Sequence, residues 1–178
     1  MRIKVIILFS CTLALWGCSS TQVPVGITAK VQRVVTGQSI EVVDTSQQQA
    51  LIEKIRLIGI ESPDLQQQPW GWEARDQLAE LLGELQGEQW VLGEVLLEFD
   101  AQEKDNFGRR LAYVWHDELL INEQLVKTGA VLAKPRSPNN KYQERLQRAQ
   151  ESARIMGYGI WNPEKPLRQT PEEFRQRK

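Results

Sequence analysis

Lys30-Val31-Gln32-Arg33-Val34-Val35-Thr36-Gly37-Gln38-Ser39-Ile40-Glu41-Val42-Val43 is followed, after a polar break, by Leu51-Ile52-Glu53-Lys54-Ile55-Arg56-Leu57-Ile58-Gly59-Ile60. β-Branched residues dominate both runs, and Gly37 and the Asp44-Thr45-Ser46 cluster fall where turns belong, so the stretch reads as a three-stranded meander. Downstream of Pro69 the period changes. Trp70, Ala74, Leu78, Leu81, Leu82 and Leu85 recur at three and four residues, which predicts one helix of about four turns. Val95, Leu97 and Phe99 alternate with Glu94, Glu98 and Asp100 as a half-buried strand, and Arg109–Trp115 is its expected antiparallel partner. The polar stretch between them, 101–108, reads as an exposed loop.

A short helix follows over Ile121–Lys127, stopped by Gly129. A final long helix starts near Asn139 or Asn140 and buries Tyr142, Leu146, Ala149, Ala153 and Met156. Residues 164–178 are charged, and Pro163, Pro166 and Pro171 punctuate the end of the chain; they predict a mobile tail in which Thr170-Pro171-Glu172-Glu173 is a possible helix start. Five strands and about three helices in roughly 135 residues suit a small barrel with helices packed on it.

Composition removes several chemistries. With 22 basic and 23 acidic residues in a chain of 178, the formal charge is −1, so bulk attraction to nucleic acid is excluded and any polyanion must be met by a local cluster. A single His and two Cys cannot build a His/Cys zinc site or a disulfide framework, and a Ser-His-Asp triad would have only His116 to use.

The N-terminus reads as an address. A basic Met1-Arg2-Ile3-Lys4, an apolar run from Val5 to Trp16 and Gly17-Cys18 have the parts of a secretory signal over residues 1–17. Leu15-Trp16-Gly17-Cys18 resembles a bacterial lipobox, with Trp16 in place of the usual small residue, which implies acylation of Cys18 and a tether over 18–29. An ordinary signal peptide is the other reading. Cleavage before Cys18 would leave 20 basic and 23 acidic residues, a charge of −3. The expected location is then the bacterial cell envelope, on the periplasmic or extracellular face of a membrane.

Polar residues gather at strand ends in Thr36-Gly37-Gln38-Ser39, in Arg56-Leu57-Ile58-Gly59-Ile60-Glu61-Ser62-Pro63-Asp64, and in Asp105-Asn106-Phe107-Gly108-Arg109. With Pro69-Trp70-Gly71-Trp72-Glu73-Ala74 and Asn122-Glu123-Gln124-Leu125-Val126, these resemble, in order from about Lys30 to Trp161, the thermonuclease or staphylococcal-nuclease-like family. The resemblance implies an α+β fold, a five-stranded OB-fold barrel with helices packed on it, over 30–163. It implies Ca2+-assisted hydrolysis of phosphodiesters in DNA and RNA by a monomer. Such chemistry needs oxygen ligands for a hard cation, a carboxylate to orient water, and guanidinium groups that fork onto phosphate.

By motif, Arg56 and Arg109 match the family's phosphate-clamping arginines. Ser62 matches a position whose backbone carbonyl helps hold the metal. The carboxylates depart from the pattern: Gln38 replaces a metal-binding Asp, Glu61 an Asp, and Asp64 the Glu that acts as base. A displacement of about 1 Å at a reacting group costs on the order of a hundredfold in rate, so reduced activity is expected. Two tyrosines of the family correspond to Lys134 and Arg136. From Lys134 to Arg154 there are six basic and two acidic residues, which makes Lys134, Arg136 and Lys141 candidate phosphate contacts and predicts salt-sensitive binding. The competing reading is a module that kept the fold and lost turnover, gripping nucleic acid or an envelope partner through this face.

Overall fold

A computed structural model describes residues 24–44 and 51–177. Cys18 and the 1–23 leader and tether region lie outside the described residues. The strands β1 (Ile27–Thr36), β2 (Ser39–Asp44) and β3 (Ile52–Leu57) form the expected antiparallel meander. β1 starts at Ile27, where Ile27–Lys30 pair with a later strand. Two register shifts interrupt the β1–β2 pairing, between Val31 and Arg33 and between Val34 and Thr36. Such bulges add the twist and bend that roll a flat sheet into a barrel.

After the short β4 (Ile60–Glu61), helix α1 (Trp70–Leu82) buries Ala74, Leu78, Ala79 and Leu82. The predicted helix continues to Leu85, but the structure ends it three residues earlier and forms a hairpin, β5 (Gly83–Gln86) with β6 (Gln89–Leu92). The reason is contact: a Cβ on Gly83 would lie 2.2 Å from the Val91 carbonyl oxygen, and Leu85 is left exposed.

Strand β7 (Glu94–Glu98) pairs antiparallel with β1 and with β8 (Arg110–His116), and β8 pairs in parallel with β3. That last pairing closes a barrel of five strands in the order β1-β2-β3-β8-β7. Ile40, Val42, Ile55, Leu57, Val95, Leu97, Ala112 and Val114 fill its interior and meet the apolar faces of the helices.

β9 (Leu119–Leu120), α2 (Ile121–Lys127), β10 (Leu132–Ala133) and α3 (Gln143–Met156) complete the body. β10 pairs with β4 and so brings the basic segment after it beside the end of β3. Of the stripe expected on α3, Leu146, Ala149 and Ala153 are buried, whereas Met156 is 58% exposed next to the left-handed cap at Gly157. The opposite face of β8 buries Leu111, Tyr113 and Trp115 in a second small core with Tyr142.

Asn122 is fully buried and ties two barrel strands together. Its Oδ1 accepts the Val114 N–H at 2.9 Å and its Nδ2 donates to the Ile58 carbonyl at 2.8 Å. Asn122→Ala strands both backbone groups out of water, so urea unfolding should show a loss of about 3 kcal/mol.

Residues 164–177 do not form the mobile tail expected from their composition. Leu167 N–H donates to Ile160 O at 2.9 Å, and a fourth helix, α4 (Pro171–Gln176), lies against the barrel with Pro171 buried. Thr170 caps it: its hydroxyl accepts the Glu173 N–H at 3.2 Å, while the Glu173 carboxylate accepts the Thr170 N–H at 2.8 Å. The capping pair starts the helix, and long-range contacts hold it.

Candidate functional site

The site is built at one rim of the barrel, where β3 and β8 run side by side. Arg56 sits in β3 opposite Leu111 of β8, and Arg109 immediately precedes β8. The backbone of the β3–β4 corner cradles the Arg56 guanidinium, with Nη1 donating to Leu57 O at 2.6 Å and Nη2 to Ile60 O at 2.8 Å. Carbonyl partners orient this group without neutralising it. Burial, then Arg109, and further Arg136 and Arg175 push its pKa down to about 10 against the opposing pull of Glu61. It stays charged at neutral pH, in surroundings short of negative charge, and an anion is the natural complement.

Arg109 is held from the other side. Its Nε donates to Asp105 Oδ2 at 2.7 Å and its Nη2 lies 2.6 Å from the same oxygen, while Asp105 Oδ1 accepts the Phe107 and Arg109 backbone N–H groups. Burial alone would raise the Asp105 carboxyl. The bonds from the Arg109 side chain and from the two backbone amides outweigh it and hold the pKa below the ordinary carboxylate value. Asp105 is a positioning residue that motif reading quotes without giving it a role. The signal was present in its spacing, four residues before Arg109 across a Gly-containing turn.

Arg56, Glu61, Lys134, Arg136 and Asn139 line a small cavity of about 50 Å³. Next to Arg136 opens a cleft of about 310 Å³ that Asp105 and Phe107 also line, with the Phe107 ring 84% exposed. On the other side, an open cleft of about 420 Å³ is lined by Thr36, Gln38, Ser62, Asp64 and Arg175.

Two glycines let α1 approach the turns that line that cleft. A Cβ on Gly37 would come within 2.6 Å of the Ala74 methyl, and one on Gly71 within 2.1 Å of the Asp64 carbonyl oxygen, so α1 presses directly on both turns. Gln67 orders the Asp64 turn, its Oε1 accepting the Asp64 N–H at 2.9 Å.

The structure thus gathers Arg56, Arg109, Arg136, Lys134, Glu61, Ser62, Asp64 and Gln38 along one rim. Lys141 is not among them. Its ammonium pairs with Glu98, a carboxylate 2% exposed that also accepts Trp115 Nε1 at 2.8 Å and the Tyr142 hydroxyl at 2.9 Å. Glu98 is buried where strand alternation placed it toward solvent, and Lys141 is the cation that compensates it. Arg145 is likewise taken, at 2.5 Å by Glu123.

Two further residues, Glu172 and Arg175, enter the site from α4. Arg175 Nη2 forms an ion pair with Glu61, and Lys134 Nζ lies 2.5 Å from Glu172 and 3.9 Å from Glu61. Nothing local announced them, because the Arg175–Glu61 contact spans 114 residues.

Ca2+ is the ion implied by resemblance, and the donors around the cleft are of the right chemistry. The Glu61 and Asp64 carboxylates, the Gln38 amide oxygen and the Ser62 carbonyl are all hard oxygen ligands. In this conformation three of them are engaged, among them Asp64, whose Oδ1 accepts the Gln66 N–H at 2.9 Å. Gln38 Oε1 accepts the Ser62 N–H at 2.7 Å, and Glu61 carries Arg175. Among the described residues no group of three or more His, Cys, Asp or Glu side chains is clustered. The donor types suit a hard cation once Glu61 is released from its guanidinium and Gln38 from the Ser62 N–H.

A closed five-stranded barrel, with the Arg56 and Arg109 guanidinium groups at one rim beside carboxylate and amide oxygens, defines an OB-fold protein. The chain belongs to the staphylococcal nuclease homologues, whose family model matches residues 54–163. It is 40% identical over 140 residues to a thermonuclease of Staphylococcus hyicus, covering 76% of each chain. It is 34% identical over 148 residues to a thermonuclease of Staphylococcus intermedius, covering 80% of each. It is also 29% identical over 139 residues to the SPbeta prophage-derived endonuclease YokF of Bacillus subtilis (strain 168), across 74% of this chain and 43% of that protein.

The Asp105 carboxylate contributes stability that is present above the unfolded-state pKa of about 4 and lost as pH falls through its lower folded value. Asp105→Asn should therefore be less stable than the native chain by about 2 kcal/mol at pH 7. Urea midpoints measured from pH 7 to pH 3 should show that gap narrowing as the native carboxylate protonates.

Proposed function

We propose that the protein is a nuclease of the cell envelope, exported and anchored through a lipid on Cys18, that hydrolyses phosphodiester bonds in DNA or RNA with Ca2+. The observation that carries this reading is the convergence of Arg56 and Arg109, one cradled by carbonyls and the other braced by Asp105, on a rim that holds oxygen ligands and belongs to a nuclease family. Attachment in this reading rests on Cys18; among the described residues no helix is long and apolar enough to cross a membrane.

Arg56 and Arg109 donate forked hydrogen bonds to the non-bridging oxygens of the scissile phosphate and favour the extra charge that develops as water adds to phosphorus. Asp64, at the cleft beside Ser62, accepts the proton of that water. The new P–O bond forms as the ester P–O bond breaks, and the leaving oxygen takes a proton from solvent. Glu61, Gln38 and the Ser62 carbonyl would hold Ca2+, which would supply positive charge at the phosphate when bound. Arg136 and Lys134 extend the grip along the backbone of the substrate.

A second reading has a specific observation behind it. Gln38 brings no charge and spends its oxygen on the Ser62 N–H, and Glu61 is already paired, which favours a module that binds nucleic acid and turns over slowly or not at all.

Incubating the full chain with single- and double-stranded DNA and with RNA, with Ca2+ or with chelator, separates the two. Cleavage that needs Ca2+ and falls about a hundredfold or more in Arg109→Ala is the expected result. No cleavage by the native chain, with cleavage appearing after Gln38→Asp, Glu61→Asp and Asp64→Glu together, would establish the binding module.

A further inference from the structure

The contacts of α4 pair opposite charges across the site. In the reading above Glu61 helps to hold a cation and Lys134 grips a backbone phosphate of the substrate beyond the one on Arg56 and Arg109. The C-terminal segment brings a cation to the first and an anion to the second: Arg175 pairs with Glu61, and Glu172 with Lys134. Residues 172 and 175 are one helical turn apart, so both reach the barrel from one face of α4.

The segment is fixed in register for this. Thr170 and Glu173 cap the helix, Pro171 is buried, and Gln67 Nε2 donates to the Gln169 carbonyl at 2.9 Å. Gln67 is the same side chain whose Oε1 orders the Asp64 turn, so docking of the segment and placement of the proposed base share one residue.

The hold is also reversible in kind. Arg175, Lys134 and Glu172 are 45%, 50% and 52% exposed, so water competes for both ion pairs, whereas Glu61 is 10% exposed. The buried partner stays and the half-exposed ones can leave.

We infer that residues 169–177 are a built-in occupant of the site, with Arg175 in the place of the cation and Glu172 in the place of a phosphate oxygen, displaced when Ca2+ and a nucleic-acid strand bind together. This rests on the reading of the rim as a Ca2+ and phosphate site. It makes the closed form the resting state and gives the chain a threshold: neither ligand alone breaks both pairs. Apparent affinity is reduced by the fraction of molecules that are closed, so an occupant docked nine times in ten weakens binding roughly tenfold.

The test compares the full native chain with Arg175→Ala and Glu172→Gln. Calorimetry measures Ca2+ binding, a phosphorothioate oligonucleotide reports strand binding, and hydrogen exchange follows the peptide 168–177. Expected results are Ca2+ binding roughly tenfold tighter in Arg175→Ala, and oligonucleotide binding several-fold tighter in Glu172→Gln. In the native chain, exchange at 168–177 should accelerate when Ca2+ and oligonucleotide are both added. Circular dichroism melts of the two variants should match the native chain, since the core does not use either side chain.

If Arg175→Ala binds Ca2+ no better than the native chain, or loses oligonucleotide affinity, Arg175 is a substrate contact and the occupant reading falls. If native chain and variants all fail to bind Ca2+ and all fail to cleave, the reading of the site itself falls, and the occupant reading with it.

Discussion

The parallel pairing of β3 with β8 is the constraint on which the rest of the molecule depends. Strands this distant in sequence meet only because the bulged β1 curls the sheet far enough for its edges to join. Once joined, Ile55, Arg56 and Leu57 lie opposite Arg110, Leu111 and Ala112. That register sets Arg56 two residues along from Arg109 on the neighbouring strand, close enough for the Arg109 charge to act on it. Two guanidinium groups held this close repel one another, and the fold tolerates the repulsion because each is braced separately, Arg56 by two carbonyls and Arg109 by Asp105. Burying Asn122 at the same junction gives the closure a polar lock, which uses a side chain to satisfy backbone groups that an antiparallel ladder would have paired.

Charge at the site is local and has little to do with the total. The chain is nearly neutral, yet burial and then the charges of Arg109, Arg136 and Arg175 depress the Arg56 pKa, with Glu61 the counterweight. Elsewhere on the basic C-terminal face, cations are committed to the fold: Lys141 to Glu98 and Arg145 to Glu123. A run of basic residues in sequence therefore overstates the positive surface. What remains positive is a narrow rim, and in the proposed function that rim meets one phosphate by geometry and does not coat a duplex by field.

Much of the barrel was legible because alternation and turn residues are local signals. The meander over 30–60, the strand at 95–99 and its partner after Arg109 follow from period two, and the helices at 70 and 121 from period three to four. The β5–β6 hairpin was hidden because Leu85 continues the helical register across Gly83, and only the approach of the Val91 carbonyl breaks it. The docking of α4 was hidden for a different reason. Its cap is written in Thr170-Pro171-Glu172-Glu173, but its partners Gln67, Lys134 and Glu61 are dozens of residues away and polar, so no periodicity announces them. At the site, Arg56 and Arg109 were visible through their motifs. Lys141 was misplaced because a flanking Lys on an amphipathic helix looks the same whether its partner is a phosphate or a buried carboxylate.

The barrel closure matters to function only if the two arginines act on one phosphate. The most direct measurement is a double-mutant cycle on Arg56→Lys and Arg109→Lys, reading the Ca2+-dependent cleavage rate of an oligonucleotide by the full chain. A joint clamp predicts that either single variant loses nearly as much as the double, because half a clamp orients nothing. Losses that multiply independently, or a native rate in either single variant, would contradict it.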